Sequence, residues 1–281
     1  MRIGLLTSSE HPELAPDDHI LYQYLITKKD LSIVPVIWDS EFNPKKYDAL
    51  VIRSVWDYQT KVDKFFQFLE KIEKSKVCCL NCVNTIRDNI DKMYLFDLEN
   101  QNNISIPATQ IISGPKARLN IQSLELVLKP VLSASGKNTF HLSRDKVLEK
   151  FIELHTAGDR RVYLAQEFIP GITNGEISII KFGQYFSHSV LKRPAANEFK
   201  VQTKYGGTVG PFDVPKELHQ EVEKLSDVTD PLLYSRSDWV FQGGQYYLME
   251  LELFEPELFF RFAPNAQDLF LKRLHELVKA T

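Results

Sequence analysis

Glu250 and Glu252 stand one residue apart in Leu248-Met249-Glu250-Leu251-Glu252-Leu253, and Asp238 lies twelve residues before Glu250. Alternation along a strand puts both glutamates on one face and Met249, Leu251 and Leu253 on the other. Between Asp238 and Glu250, Gln242-Gly243-Gly244-Gln245 reads as a tight turn. Folding the two strands together could gather three carboxylates. Oxygen donors of this kind suit hard divalent cations such as Mg²⁺, with substrate phosphates completing the shell. Register sets a condition. A two-residue hairpin centred on Gly243-Gly244 pairs Asp238 with Met249 and turns it away from the glutamates. Convergence requires an odd-length loop or a one-residue bulge, which pairs Asp238 with Glu250. The competing reading is a solvated sheet face.

Cations with suitable neighbours lie upstream. Lys129 ends an apolar strand just before Pro130, and the small-residue loop Ser133-Ala134-Ser135-Gly136-Lys137 follows. Small residues let backbone N–H groups approach a phosphate, and lysine adds a point charge. A turn with two solvated lysines is the plainer alternative, and the loop lacks the GxxxxGK[ST] of a Walker A motif. Gln166-Glu167-Phe168-Ile169 ends a strand whose backbone could bond an adenine edge. Glu176 opens the next strand, where it could meet ribose hydroxyls. Lys192 and Arg193 end the strand after Leu191, and Arg193 could grip a phosphate or carboxylate through two parallel hydrogen bonds. Tyr205-Gly206-Gly207-Thr208 reads as a loop that closes over a ligand, and His188 as a structural strand residue.

The elements that must position these groups follow from periodicity. Apolar runs at Arg2–Thr7, Ser32–Trp38, Ala49–Arg53 and Val77–Leu80 predict strands, and Ile20–Thr27 and Val62–Ser75 predict helices between them. That alternation predicts a parallel α/β unit over roughly the first 85 residues. A helix is expected from Asp91, strands over Ile104–Ile112, Leu126–Pro130 and Tyr163–Ile169, and a helix over Lys146–His155. From Glu176 the pattern becomes antiparallel β, with helices at Lys216–Val228 and Ala266–Ala280. The expected class is thus α/β, becoming α+β in the C-terminal half, with domains at 1–90 and 91–281 and lobes 91–165 and 166–281.

Composition narrows the function. The chain of 281 residues has a net charge of −3, so no global basic field argues for nucleic acid. No apolar run reaches the length of a membrane span, and the polar start does not read as a signal peptide, so a cytoplasmic protein is expected. The three cysteines, Cys78, Cys79 and Cys82, form one cluster without a second to complete a zinc site, and read as reduced and structural.

Taken in order, Asp91-Lys92, Leu128-Lys129-Pro130, the Ser133-to-Lys137 loop, Gln166 to Ile169, Lys192-Arg193, Gly206-Gly207, Asp238 and Glu250-x-Glu252 resemble the ATP-grasp superfamily of carboxylate–amine ligases. Arg53-Ser54-Val55-Trp56-Asp57-Tyr58, Lys192-Arg193-Pro194-Ala195, Tyr205 to Val209 and Met249 to Pro256 resemble a narrower group, which includes the O-ureido-D-serine cyclo-ligase of cycloserine biosynthesis. The resemblance implies an N-terminal Rossmann-like domain followed by a two-lobed ATP-grasp fold. It also implies roles. Lys92 and Lys129 would contact ATP phosphates, with Lys129 also serving catalysis. Ser135, Gly136 and Lys137 would close over the phosphates. Gln166, Glu167, Phe168 and Ile169 would hold adenine, and Glu176 the ribose. Arg193 would stabilise the transferring phosphoryl group. Asp238, Glu250 and Glu252 would hold Mg²⁺ or Mn²⁺. Many relatives carry Glu-x-Asn where this chain has Glu250-Leu251-Glu252, and the second glutamate still ligates magnesium.

The expected reaction joins a carboxylate to an amine through an acyl phosphate, on a small amino-acid-like substrate and in one form by cyclisation. A ligase acting on a larger acceptor, or a non-catalytic ATP-binding protein, are the alternatives. Substrate contacts are expected from Asp17, Asp18, Arg53, Ser54, Trp56 and Asp57, where loops follow strands, and from Lys192, Gly206 and Gly207. The superfamily also raises a homodimer as an open possibility.

Overall fold

The computed structural model describes residues 1–280 apart from Pro115, Ala134, Ser135, Lys137, Asn197 and Gln202–Lys204. The chain opens with β1 (Arg2–Thr7), α1 (Pro16–Leu25), β2 (Ser32–Ile37), β3 (Ala49–Ser54), α2 (Val62–Ser75) and β4 (Cys78–Leu80). These strands form a parallel sheet in the order β2-β1-β3-β4. Its central strands, β1 and β3, are apolar along most of their length because both faces are covered. Gly4 is required there by packing, since a Cβ at that point would lie 2.7 Å from the Leu50 side chain. The face of α2 that carries Phe65, Phe68, Leu69 and Ile72 is buried, as its spacing predicts. Helix α1 starts four residues earlier than expected, at Pro16, because proline is well tolerated in a first turn.

Two short helices follow, α3 (Val83–Asn89) and α4 (Tyr94–Asn102). The first was not expected from the sequence, because seven residues present too few turns for a period to show. Next comes a small lobe of β5 (Thr109–Ile112), β6 (Glu125–Pro130), β7 (Phe140–Ser143), α5 (Arg144–Thr156) and β8 (Tyr163–Glu167). Its antiparallel sheet runs β5-β8-β6-β7 and has its own core, in which Leu126, Leu128 and Tyr163 meet Val147 and Phe151 of α5.

The larger lobe contains β9 (Glu176–Phe182), β10 (Tyr185–Arg193), β11 (Thr208–Pro211), α6 (Lys216–Glu223), α7 (Ser226–Thr229), β12 (Ser235–Gln242), β13 (Gln245–Glu252) and α8 (Ala266–Ala280). One antiparallel sheet orders its strands β11-β10-β9-β12-β13. The N-terminal sheet packs into this lobe. Ile3, Leu5 and Val51 share one apolar cluster with Ile180, Phe182, Tyr234, Phe260 and Phe270.

Polar side chains seal that junction. Arg53 is fully buried, ion-paired to Asp18 at 2.8 Å, and donates to the Pro256 carbonyl at 2.6 Å. Ser54 donates to the same Asp18, and Asp17 accepts from the Phe260 N–H at 2.9 Å. Asn81 donates to the Tyr234 and Leu253 carbonyls and accepts from the Leu233 N–H.

Candidate active site

The turn and the bulge coexist. Gly243 and Gly244 both take positive φ, at 61° and 86°, which a two-residue turn needs and glycine supplies without a Cβ penalty. Gln242 pairs with Gln245 and Trp239 with Leu248, but Asp238 pairs with Glu250, so Met249 is the extra residue. This bulge corrects one expectation. Met249 does not share the buried face of Leu251; it lines the cavity beside Glu250. The carboxylates of Asp238, Glu250 and Glu252 offer oxygens within 4.8 Å of one another. A set of oxygens alone fits Mg²⁺ or Mn²⁺, and lacks the nitrogen and sulfur donors that zinc favours.

Neighbouring strands extend this row. Lys192 on β10 lies opposite Glu176 on β9, and Ser178, two residues on, lies opposite Asp238 on β12. Lys192 Nζ donates to Asp238 at 2.8 Å and is ion-paired with Glu176. Arg236, two residues before Asp238 and so on the same face, donates to both Asp238 oxygens at 3.1 Å and is ion-paired with Glu252. Burial alone would raise the Asp238 pKa, but Arg236 and Lys192 hold it well below the usual carboxylate range. Burial keeps Glu252 well above that range despite Arg236, and pushes Glu176 to about 7 against the pull of Lys192.

The small lobe faces this row across a cavity of about 360 Å³. Lys92 Nζ is 3.0 Å from Glu250 and donates to the Ser133 carbonyl at 2.8 Å. Lys129 Nζ donates to Gln166 at 2.8 Å. Burial, aided by the charge of Lys92, pushes the Lys129 pKa down to about 8. Gln166 to Ile169, Gly136 and Glu176 also line the cavity. Phe168 stacks on His141 at 3.8 Å between ring centres and forms an apolar patch with Ile169, Val201 and Met249.

Asn89 holds the row in place. Its Nδ2 donates to the Leu251 carbonyl at 2.8 Å and its Oδ1 accepts from the Leu253 N–H at 2.9 Å, while Tyr94 Oη accepts from the Leu251 N–H at 2.9 Å. Side chains thus satisfy the outer edge over Leu251–Leu253, while the Leu248 N–H donates to the Ser105 carbonyl at 2.8 Å, and Glu250 and Glu252 are left facing the cavity.

Lys92, Lys129, Gly136, Gln166 to Ile169, Glu176, Lys192, Asp238, Glu250, Glu252 and Trp56 all meet at one cavity. Ser135 and Lys137 lie outside the described residues. Arg193 needs correction. It follows the inward-facing Lys192, so alternation turns it outward, and it is exposed. Arg236 is the arginine within the cluster, and its two-residue spacing from Asp238 was the signal for it. Asp17, Asp18, Arg53 and Ser54 also fall outside the cavity, because they bond one another and the 256–261 segment. Asp57 bonds Trp38 and Lys61 instead. Gly206 and Gly207 pack against Ala195 and against the Val201 and Arg193 backbone, beside the cavity rather than in it. Asn89 lines the cavity without having been singled out in the sequence; Tyr58, Met249 and Glu255 line it too, from segments that carry the narrower resemblance but were assigned no part in the site.

The ATP-grasp domain of prokaryotic glutathione synthetase matches residues 92–243, more than half of the chain, and the N-terminal domain of D-cycloserine synthetase DcsG matches residues 3–81. The chain is 24% identical over 204 residues to a glutathione synthetase of Prochlorococcus marinus, covering 69% of this chain and 66% of that protein. It is 25% identical over 227 residues to a glutathione synthetase of Coxiella burnetii, covering 78% of this chain and 68% of that protein. The chain thus spans about two thirds of the length of these relatives. The crystal structure of D-cycloserine synthetase DcsG superposes with a TM-score of 0.84 at 17% identity, over 99% of this chain and 100% of that one.

Proposed function

The chain belongs to the ATP-grasp ligase family of the prokaryotic glutathione synthetase domain, and from that premise we propose that it forms a C–N bond on a small amino-acid-like substrate. The reaction consumes ATP and needs a divalent metal. The observation that carries this reading is the meeting of Asp238, Glu250 and Glu252 with Lys92 and Lys129 at one cavity. A metal held by the three carboxylates would neutralise phosphate charge.

The chain's own residues do the rest. Lys92 and Lys129 bind phosphate oxygens, Gln166 to Ile169 with Met249 hold the nucleobase, and Glu176 meets the ribose. A substrate carboxylate attacks the γ-phosphorus, the bond to the bridging oxygen breaks, and ADP leaves. Arg236 and Lys192 stabilise oxygens of the acyl phosphate. An uncharged nitrogen then attacks the acyl carbon, loses its proton, and expels inorganic phosphate. Closure of the small lobe on the larger one excludes the water that would hydrolyse the intermediate. The match of residues 3–81 to the N-terminal domain of D-cycloserine synthetase supports an intramolecular form, in which nitrogen and carboxylate belong to one molecule.

The test is ADP release. The protein with ATP and Mg²⁺ is incubated with amino acids bearing a second nitrogen, and ADP, phosphate and product mass are followed. Stoichiometric ADP, phosphate and a product lighter than the substrate by one water support the cyclising form. No ADP above background with any such amine-bearing acid would overturn the proposal.

A further inference from the structure

The N-terminal domain sends one short segment into the cavity. After β3, a tight turn of helix over Trp56–Thr60 places the Trp56 and Tyr58 side chains at the cavity wall. Trp56 Nε1 donates to the Glu255 carbonyl at 2.8 Å. Tyr58 is anchored by edge contact with Phe254 at 5.3 Å, and its hydroxyl lies beside the Glu255 carboxylate. Glu255 lies just beyond the metal-type carboxylates and is 9% exposed.

Its surroundings differ from theirs. Asp238, Glu250 and Glu252 each have a lysine or arginine in ion-pair range. Among the described residues, Glu255 has no cation within 4 Å, and the neighbouring Glu257 is occupied by Arg261 at 2.5 Å. One phenolic O–H leaves a buried carboxylate short of donors. Lys92 and Arg236 attract it only from beyond ion-pair range, and burying a carboxylate without a direct charged partner is unfavourable.

We propose that Glu255, walled by Trp56 and Tyr58, binds the non-reacting ammonium group of a zwitterionic amino-acid substrate. The recess suits an organic cation better than a metal. It offers a single carboxylate rather than several oxygens, with the half-buried Trp56 ring at its wall, and aromatic rings attract alkylammonium ions. The substrate then spans the cavity, with its carboxylate at the Lys129 and Glu250 end and its ammonium at Glu255. A protonated amine cannot attack an acyl carbon, so the bound ammonium is distinct from the attacking nitrogen. This inference rests on the ligase reading above.

The experiment measures thermal midpoints with saturating Mg²⁺ and the non-hydrolysable analogue AMPPNP. Glycine, both enantiomers of alanine and serine, and ethylammonium chloride are then added. Glycolate, lactate, glycerate and potassium chloride are the matched probes without an amine. Amine-bearing probes should raise the wild-type midpoint and their matched partners should not. Glu255→Gln should keep the rise with Mg²⁺–AMPPNP and weaken the amine probes about tenfold or more, the scale of a lost charge-assisted hydrogen bond. Trp56→Leu leaves every charge in place and should weaken them about threefold to tenfold. Equal responses to amine and matched probes, no response to any probe, or unchanged responses in both variants would each overturn the ammonium site. Absence of the Mg²⁺–AMPPNP rise in the wild type would instead overturn the ligase reading beneath it.

Discussion

Asp238 lies directly opposite Glu250, although an uninterrupted hairpin from Gly243-Gly244 would have set Met249 there. One extra residue therefore does two things. It brings Asp238 onto the face of the glutamates, and it moves a thioether into the apolar patch with Phe168 and Ile169. Met249→Ala should weaken nucleotide binding about tenfold, as burial of a smaller side chain implies, with little change in kcat at saturating ATP. Calorimetric titration with AMPPNP and Mg²⁺ checks this.

Glu250→Ala should lower ATP turnover on the order of 10²-fold or more, the scale seen when one preorganised charge is removed from a transition state. The fold should persist, because Glu250 faces the cavity and not the core. Near-normal turnover in the folded variant would remove Glu250 from the metal site.

The two arginines make opposite predictions. Arg236→Lys removes a bidentate grip on Asp238 and should cost turnover on the order of 10²-fold. Exposed Arg193→Ala should change stability by no more than about 0.5 kcal/mol and leave kcat within a few-fold. Steady-state kinetics on both variants decide between them.

Lys129 predicts a pH dependence. Burial pushes its pKa from the ordinary lysine value of 10.5 down to about 8, so it loses its proton as pH rises through 8. Phosphate binding favours the charged form. Nucleotide binding should therefore take up a proton above pH 8, and affinity should fall as pH rises from 8 to 10. Titrations in buffers of different ionisation enthalpy measure this uptake. In Lys129→Arg, which stays charged, both effects should vanish.

Arg53 is placed as a structural residue, and Arg53→Met tests that placement. Loss of the cation leaves Asp18 buried and unpaired, so the variant should be less stable by about 3–5 kcal/mol. Denaturant unfolding measures the loss. A rise in substrate KM at unchanged stability would return Arg53 to the substrate site.

The sequence made legible what depends on local pattern. Helix α2 falls on its expected residues, and the strands carrying Lys129, Gln166, Asp238 and Glu250 are where alternation put them. Motif order singled out Lys92, Lys129 and Gln166 to Ile169, which all line one cavity. What could not be read depends on contacts between distant segments. Arg53 and Asp17 look like ligand residues from their loop positions, but the 256–261 segment that captures them is two hundred residues away in sequence. Asn89 bears no motif, because its role is to imitate a neighbouring strand. Arg193 and Arg236 compete for one role, and pleat direction settled which faces inward.

The N-terminal sheet and the larger lobe close over a single apolar cluster. A chimaera that exchanged residues 1–81 for those of a relative would replace the side chains that Ile180, Phe182, Tyr234, Phe260 and Phe270 pack against. On the ammonium site proposed above, substrate range would not transfer with residues 1–81 as a cassette; it would be re-tuned within the short Trp56–Tyr58 segment, whose side chains reach the cavity while the buried sheet behind it stays intact.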